Sequence, residues 1–171
     1  MNYQTITHED MVNGPGLREV LWVSGCEHHC KNCQNPQTWC RTSGEPFTEE
    51  AEAELFDWLS RDYIDGVTFS GGDPLAPYNR DEVTRLCKKI RSMYNMDRGS
   101  KKKPVKTIWV YTGYKYEEIK DLEIMQYINV LVDGEFMQEL YKPGLDWKGS
   151  SNQRVINIQK TRKHGEIVLE A

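Results

Sequence analysis

Cys26, Cys30 and Cys33 fall within eight residues, in the run Ser24-Gly25-Cys26-Glu27-His28-His29-Cys30-Lys31-Asn32-Cys33-Gln34-Asn35. Three thiolates so close together can converge on one metal centre. Zinc and four-iron clusters ordinarily take four protein ligands, whereas this C-x3-C-x2-C spacing offers three. One corner of the centre is therefore left for something else. An iron-sulfur cluster with a free iron can bind a small molecule and pass it an electron, while a cluster held by four cysteines only relays electrons. His28 and His29 are metal-binding residue types, but adjacent residues seldom both reach one ion, and they read as polar loop positions.

Three further stretches have the same look of chemistry at the end of an apolar run: Ser70-Gly71-Gly72-Asp73-Pro74, Tyr111-Thr112-Gly113-Tyr114 and Asp133-Gly134-Glu135. Adjacent glycines let a backbone approach a ligand closely, and Asp73 can accept hydrogen bonds from an ammonium group. The same residue types also make ordinary turns, as do Asp133 and Gly134.

The elements that must position these loops alternate in type. Strands are expected over Glu19 to Val23, Gly66 to Ser70, Lys106 to Tyr111 and Ile128 to Val132. Between them, Thr48 to Ser60 opens on Glu49, Glu50 and Glu52, acids suited to a helix N-terminus, and continues with Leu55, Phe56 and Leu59 on one face. Asp81 to Tyr94 places Val83, Leu86, Cys87, Ile90 and Met93 at helical spacing, and Tyr116 to Gln126 is a weaker third helix. Alternation of this kind predicts an α/β fold with a mainly parallel sheet, whose ligands bind where the loops converge at the carboxyl ends of the strands. All four candidate loops then share one rim. The aromatics Trp22, Phe69, Trp109 and Tyr111, at strand positions, read as core.

The last forty residues carry Pro143, Gly144, Gly149, Ser150 and Ser151 with little periodicity, then an alternating stretch from Arg154 to Ile158 and a short strand at Ile167 to Leu169. Asn95 to Pro104, with Gly99, Ser100 and the lysines Lys101, Lys102 and Lys103, reads as a solvated connection. Nothing repeats, and one domain over residues 1–171 is expected.

Composition narrows the function classes. With 38% hydrophobic and 28% charged residues and a formal charge of -4, the chain reads as a soluble globular protein with no basic excess for nucleic acid. Its apolar runs fall far short of the roughly 20 residues that cross a bilayer, and no secretory signal pattern opens the chain. Five cysteines, an odd number with three bunched, do not form a secreted disulfide framework, and a cytoplasmic location is expected. Cys87 reads as a buried apolar residue, while Cys40 is either free or a further metal ligand.

Together with Asn13-Gly14-Pro15-Gly16, Asn35-Pro36, Thr38-Trp39, Trp109-Val110 and Val132-Asp133-Gly134, these motifs resemble those of the radical S-adenosylmethionine enzymes. Within them, the chain is similar to the small activating proteins of anaerobic ribonucleoside-triphosphate reductase, over about residues 3 to 136. It departs from the common pattern at Asn32, where an aromatic residue is frequent, and at Asp73, where glutamate is frequent.

The resemblance implies a single-domain partial (βα) barrel and a 4Fe-4S cluster held by Cys26, Cys30 and Cys33, with S-adenosylmethionine chelating the fourth iron. Reductive cleavage would yield methionine and a 5′-deoxyadenosyl radical, which takes hydrogen from a glycine of a large partner reductase. Gly71, Gly72 and Asp73 would meet the methionine end, and Asn32, Cys33 and Gln34 the nucleoside; Tyr111, Thr112, Asp133 and Glu135 are further candidates for the ribose or the carboxylate. Hydrogen-atom transfer needs no general base, and no side chain is assigned a catalytic role of its own. A flavodoxin or ferredoxin would supply the electron. Arg18 and the segment from Trp147 to Arg154 would face the partner, and Asn13 to Gly16 would shape its groove. Two other readings are an activase of pyruvate formate-lyase or a related glycyl-radical enzyme, and a zinc-binding structural module using Cys40 or a histidine as fourth ligand.

Overall fold

The computed structural model describes residues 1–96 and 104–170. The chain runs through β1 (Asn2–Asp10), β2 (Arg18–Val23), β3 (Glu45–Pro46), α1 (Glu49–Leu59), β4 (Gly66–Gly71) and α2 (Arg80–Met93). It continues through β5 (Thr107–Tyr111), α3 (Tyr116–Ile119), β6 (Val130–Asp133), β7 (Arg154–Asn157) and α4 (Ile158–His164). The strands make one sheet in the order β3-β1-β2-β4-β5-β6-β7. The β2–β4, β4–β5 and β5–β6 pairings are parallel, as expected; β1–β2, β1–β3 and β6–β7 are antiparallel. The sheet is therefore mixed, a parallel core between antiparallel edges.

Period-two alternation gives the core strands two apolar faces. Leu21, Val23, Val67, Phe69, Ile108, Val110, Leu131 and Ile156 pack with Leu55 and Leu59 of α1, Leu86, Cys87 and Ile90 of α2, and Ile119 of α3. The opposite face carries a separate cluster, Trp109, Val130, Val132 and Val155, with Tyr111 and Trp147 against it. Because β2, β4, β5 and β6 follow one another in order, right-handed crossovers bring their helices to one face and leave the other to side chains and loops. At the start of α1 the Thr48 hydroxyl accepts from the Ala51 amide, and three acids occupy the first turn, as the sequence suggests.

Four features depart from the sequence expectation. The long strand β1 goes unread because only Ile6 in it is buried, so no apolar alternation marks it. The third helix ends at Ile119, and residues 123–126 form a separate 3-10 turn. Beyond β7 the chain makes α4, capped by Asn157 and closed by Gly165 at φ 76°, while Leu169 forms a single bridge to Ile156 in place of a strand. Finally, Arg18 is fully buried, not surface-facing. Its guanidinium donates to Thr68 Oγ1, Thr107 Oγ1 and the Val67 carbonyl, each at 2.8 Å, and lies over the Trp109 ring, so it cannot meet a partner. Lys101, Lys102 and Lys103 lie outside the described residues. Among the described residues, no helix is long and apolar enough to cross a membrane.

Candidate metal centre and cofactor cavity

The carboxyl ends of β2, β4, β5 and β6 converge on a cavity of about 310 Å³. The loop after β2 contributes Cys26, His28, Cys30, Cys33, Gln34 and Asn35; β4 and its loop give Ser70, Gly71 and Gly72; β5 and its loop give Tyr111, Thr112 and Gly113. Gly134 and Phe136 follow β6, and the wall is completed by Val12, Asn13, Trp22, Gly149 and Gln153.

Backbone pairing sets the cysteine loop against the glycine loop. The Gly72 amide donates to the Val23 carbonyl at 2.8 Å and the Asp73 amide to the Gly25 carbonyl at 2.7 Å, while Gly25 and Cys26 donate to Thr38 and Trp39. Gly25 and Gly71 have φ values of 98° and 101°, and a Cβ on Gly72 would strike the Gly25 backbone. Glycine is required here for conformation and for close approach.

Burial and nearby backbone amides pull on the thiols in opposite directions. Burial pushes the Cys26 thiol up to about 11, with amides of His28 and His29 opposing the rise. Burial also raises Cys30, opposed first by the Phe136 amide. The Asn35 amide donates to Cys33 Sγ at 3.4 Å. N–H donors of this kind favour thiolates and tune iron-sulfur clusters, and metal binding would displace the thiol protons. Three thiols spaced round one cavity fit a cluster whose irons take one thiolate apiece. Among the described residues, no three His, Cys, Asp or Glu side chains converge on a position for a single ion.

Asp73 is 1% exposed and is not part of the cavity wall. Its carboxylate accepts from the Thr112 hydroxyl at 2.9 Å, the Gly113 amide at 3.0 Å and the Leu75 amide at 2.8 Å. His28 Nε2 lies 2.8 Å from the same carboxylate and Nδ1 lies 2.9 Å from Glu135. The hydrogen bond to Asp73 is the main reason the imidazole is raised to about 9, against burial and with help from Glu135. At neutral pH both ring nitrogens then carry protons and donate.

Among the expected cofactor residues, Cys33, Gln34, Gly71, Gly72, Tyr111 and Thr112 border the cavity. Four do not. Asn32 is exposed at φ 56° in the tight turn between Cys30 and Cys33, a left-handed conformation that asparagine tolerates. Asp73 faces its own loop, as described. Asp133 is buried and accepts from the Tyr116 amide at 2.7 Å and from Arg154, joining β6 to α3 and β7. Glu135 is engaged by His28.

Trp22 and Tyr111, expected in the core, are partly exposed and face the cavity; the Trp22 indole donates to Thr7 Oγ1 at 2.8 Å. Cys40 is exposed beside Thr42 and away from the cavity wall, and Cys87 is buried as expected. Phe136, Gly149 and Gln153 were not legible from sequence. Gln153 donates to the Gly134 carbonyl at 2.9 Å and accepts from the Gly149 amide at 2.9 Å, which folds the aperiodic segment over the cavity. The dense Gly149-Ser150-Ser151 turn chemistry is the only signal there. Asn13 does reach the cavity, and its carbonyl accepts from Thr68 at 2.8 Å.

Comparison with known proteins adds an independent line. Residues 12–156 match the model of a 4Fe-4S single cluster domain. The chain is 44% identical over 155 residues to the anaerobic ribonucleoside-triphosphate reductase-activating protein of Enterobacteria phage T4, covering 91% of this chain and 93% of that one. It is 43% identical over 163 residues to the protein so named in Escherichia coli K12, covering 93% and 100%. Against that of Vibrio cholerae the identity is 42% over 157 residues, covering 90% and 96%.

Proposed function

The chain belongs to the anaerobic ribonucleoside-triphosphate reductase-activating proteins, within the 4Fe-4S single cluster domain family, and from that premise we propose that it is a radical S-adenosylmethionine activase acting on such a reductase. The observation that carries this reading is the set of three cysteine thiols that line one cavity with the polar loops of three further strands. Cys26, Cys30 and Cys33 would hold the cluster and leave one iron for S-adenosylmethionine. When bound, that pair supplies the electron transfer that cleaves the sulfonium and hence the power to remove hydrogen from a glycine α-carbon.

The protein's own part is to shape and dry the site. Gly71 and Gly72, bare backbone on the cavity wall, would meet the methionine end, and Gln34 would border the nucleoside. Tyr111 and Thr112 form part of the wall, Thr112 being held in place by Asp73. Trp22 and Phe136 contribute apolar surface that limits water. Asp133 and Glu135 act through the residues they anchor. We read the four sequential parallel strands, with helices on one face, as a sector of a partial barrel whose open side admits the reductase's glycine segment. A flavodoxin or ferredoxin as electron donor and a reducing cytoplasmic setting belong to the same proposal.

Anaerobic reconstitution with iron and sulfide, then reduction and assay for 5′-deoxyadenosine, tests it on wild type and Cys30→Ala. Product formed by wild type and lost in the variant supports the activase. A colourless protein that retains zinc and forms no product would overturn it.

A further inference from the structure

We propose that His28 is a positioning residue that locks the cysteine loop to the loops after β4 and β6, and so sets how Cys26 and Cys30 face the cavity. What the thiols hold rests on the activase reading; where they point does not. The ring is largely enclosed, with its edge against Tyr114 at a centroid separation of 4.7 Å. It also lies against Gly113 so closely that a Cβ there would collide with it. Its two nitrogens reach two different loops, Nε2 to Asp73 at 2.8 Å and Nδ1 to Glu135 at 2.9 Å. Among the described residues, no other side chain hydrogen-bonds to both carboxylates.

The consequence falls on the sulfurs. His28 lies between Cys26 and Cys30 in the chain, and all three border the cavity. Glu135, at the other end of the bridge, directly precedes Phe136, which also lines the cavity. One ring therefore ties the segment that carries both thiols to the two loops that face it across the rim. Apart from this ring, among the described residues the loop between Cys26 and Cys33 reaches the β6 side by a side-chain ion pair only at Lys31–Glu139, 3.8 Å apart on the surface. An exposed pair of that length constrains little.

The test is alkylation of the metal-free protein under reducing, anaerobic conditions, followed thiol by thiol by mass spectrometry. Losing the ring's hydrogen bonds to two carboxylates frees the loop to open, and an opening eased by about the worth of one such bond exposes both sulfurs about 10-fold more often; in His28→Ala, Cys26 and Cys30 should thus be alkylated about 10-fold faster, while Cys40 and Cys87 keep their wild-type rates. Glu135→Ala should accelerate Cys30 in the same direction. After reconstitution, His28→Ala should release iron to a chelator about 10-fold faster than wild type. Unchanged Cys26 and Cys30 rates overturn the proposal. So does acceleration of buried Cys87 in step with them, because His28 would then support the whole fold and not one loop. If wild type assembles no cluster, the activase reading fails while the metal-free kinetics still decide the role of His28.

Discussion

The Thr112 hydroxyl lies 2.9 and 3.0 Å from the two carboxylate oxygens of Asp73, and so ties the end of β5 to the loop that follows β4. With the amides of Leu75 and Gly113 and the His28 ring, four groups converge on this one buried carboxylate. A buried charge persists only when it is satisfied in this way. The result is that three of the loops round the cavity are positioned by a single side chain.

Asp73→Ala should therefore act twice. Leaving several buried donors without an acceptor should cost about 3 kcal/mol in urea unfolding. The loosened Thr112 and Gly113 wall should also weaken S-adenosylmethionine binding, measured at equilibrium on the reconstituted protein, with the cluster retained. Wild-type stability together with wild-type binding would refute the role given to Asp73.

Gly72→Ala places a methyl group against the Gly25 backbone, at the junction of the glycine and cysteine loops. Forcing them apart should cost about 2 kcal/mol, as overpacking typically does. It should also lower the iron bound per chain after reconstitution, because Cys26 directly follows Gly25. Full iron content at unchanged stability would show that the close approach is dispensable.

Arg18→Ala should destabilise by about 3 kcal/mol in thermal unfolding, since the Val67 and Thr107 carbonyls lose their buried donor. Arg18→Lys should recover little, because a single ammonium cannot span Thr68, Thr107 and Val67 as the planar fork does. Recovery to wild-type stability by lysine would contradict the geometric account.

The metal-free thiols should react in a fixed order. The Thr42 hydroxyl lowers the exposed Cys40 thiol, whereas burial raises Cys26 to about 11 and Cys87 to about 12. A lowered pKa means more thiolate at a given pH, and the thiolate is the reactive form. At pH 8 a thiol at about 11 is roughly a thousandth ionised. Cys40 should thus be alkylated first and Cys87 last, with the Cys26 rate rising about tenfold per pH unit up to about 11. Cys26 reacting ahead of Cys40 would be inconsistent with its burial.

The amino-acid sequence alone determined the parallel core, the first two helices and the three-cysteine loop, because each is written in local terms: period-two and helical apolar spacing, acids at a helix start and the interval between thiols. Strand β1 and helix α4 bury few side chains, so no periodicity announces them. Residue type named Asp73 and Asp133 as ligand candidates, yet the fold surrounds both with protein donors. In the opposite direction, Phe136, Gly149 and Gln153 come to the cavity from a segment without pattern. These outcomes belong to tertiary structure because a side chain's role at a rim depends on which partners arrive from distant strands. Asp73 meets Thr112 across 39 positions of sequence, and His28 meets Glu135 across 107. Local spacing cannot encode those distances; the register of the sheet does.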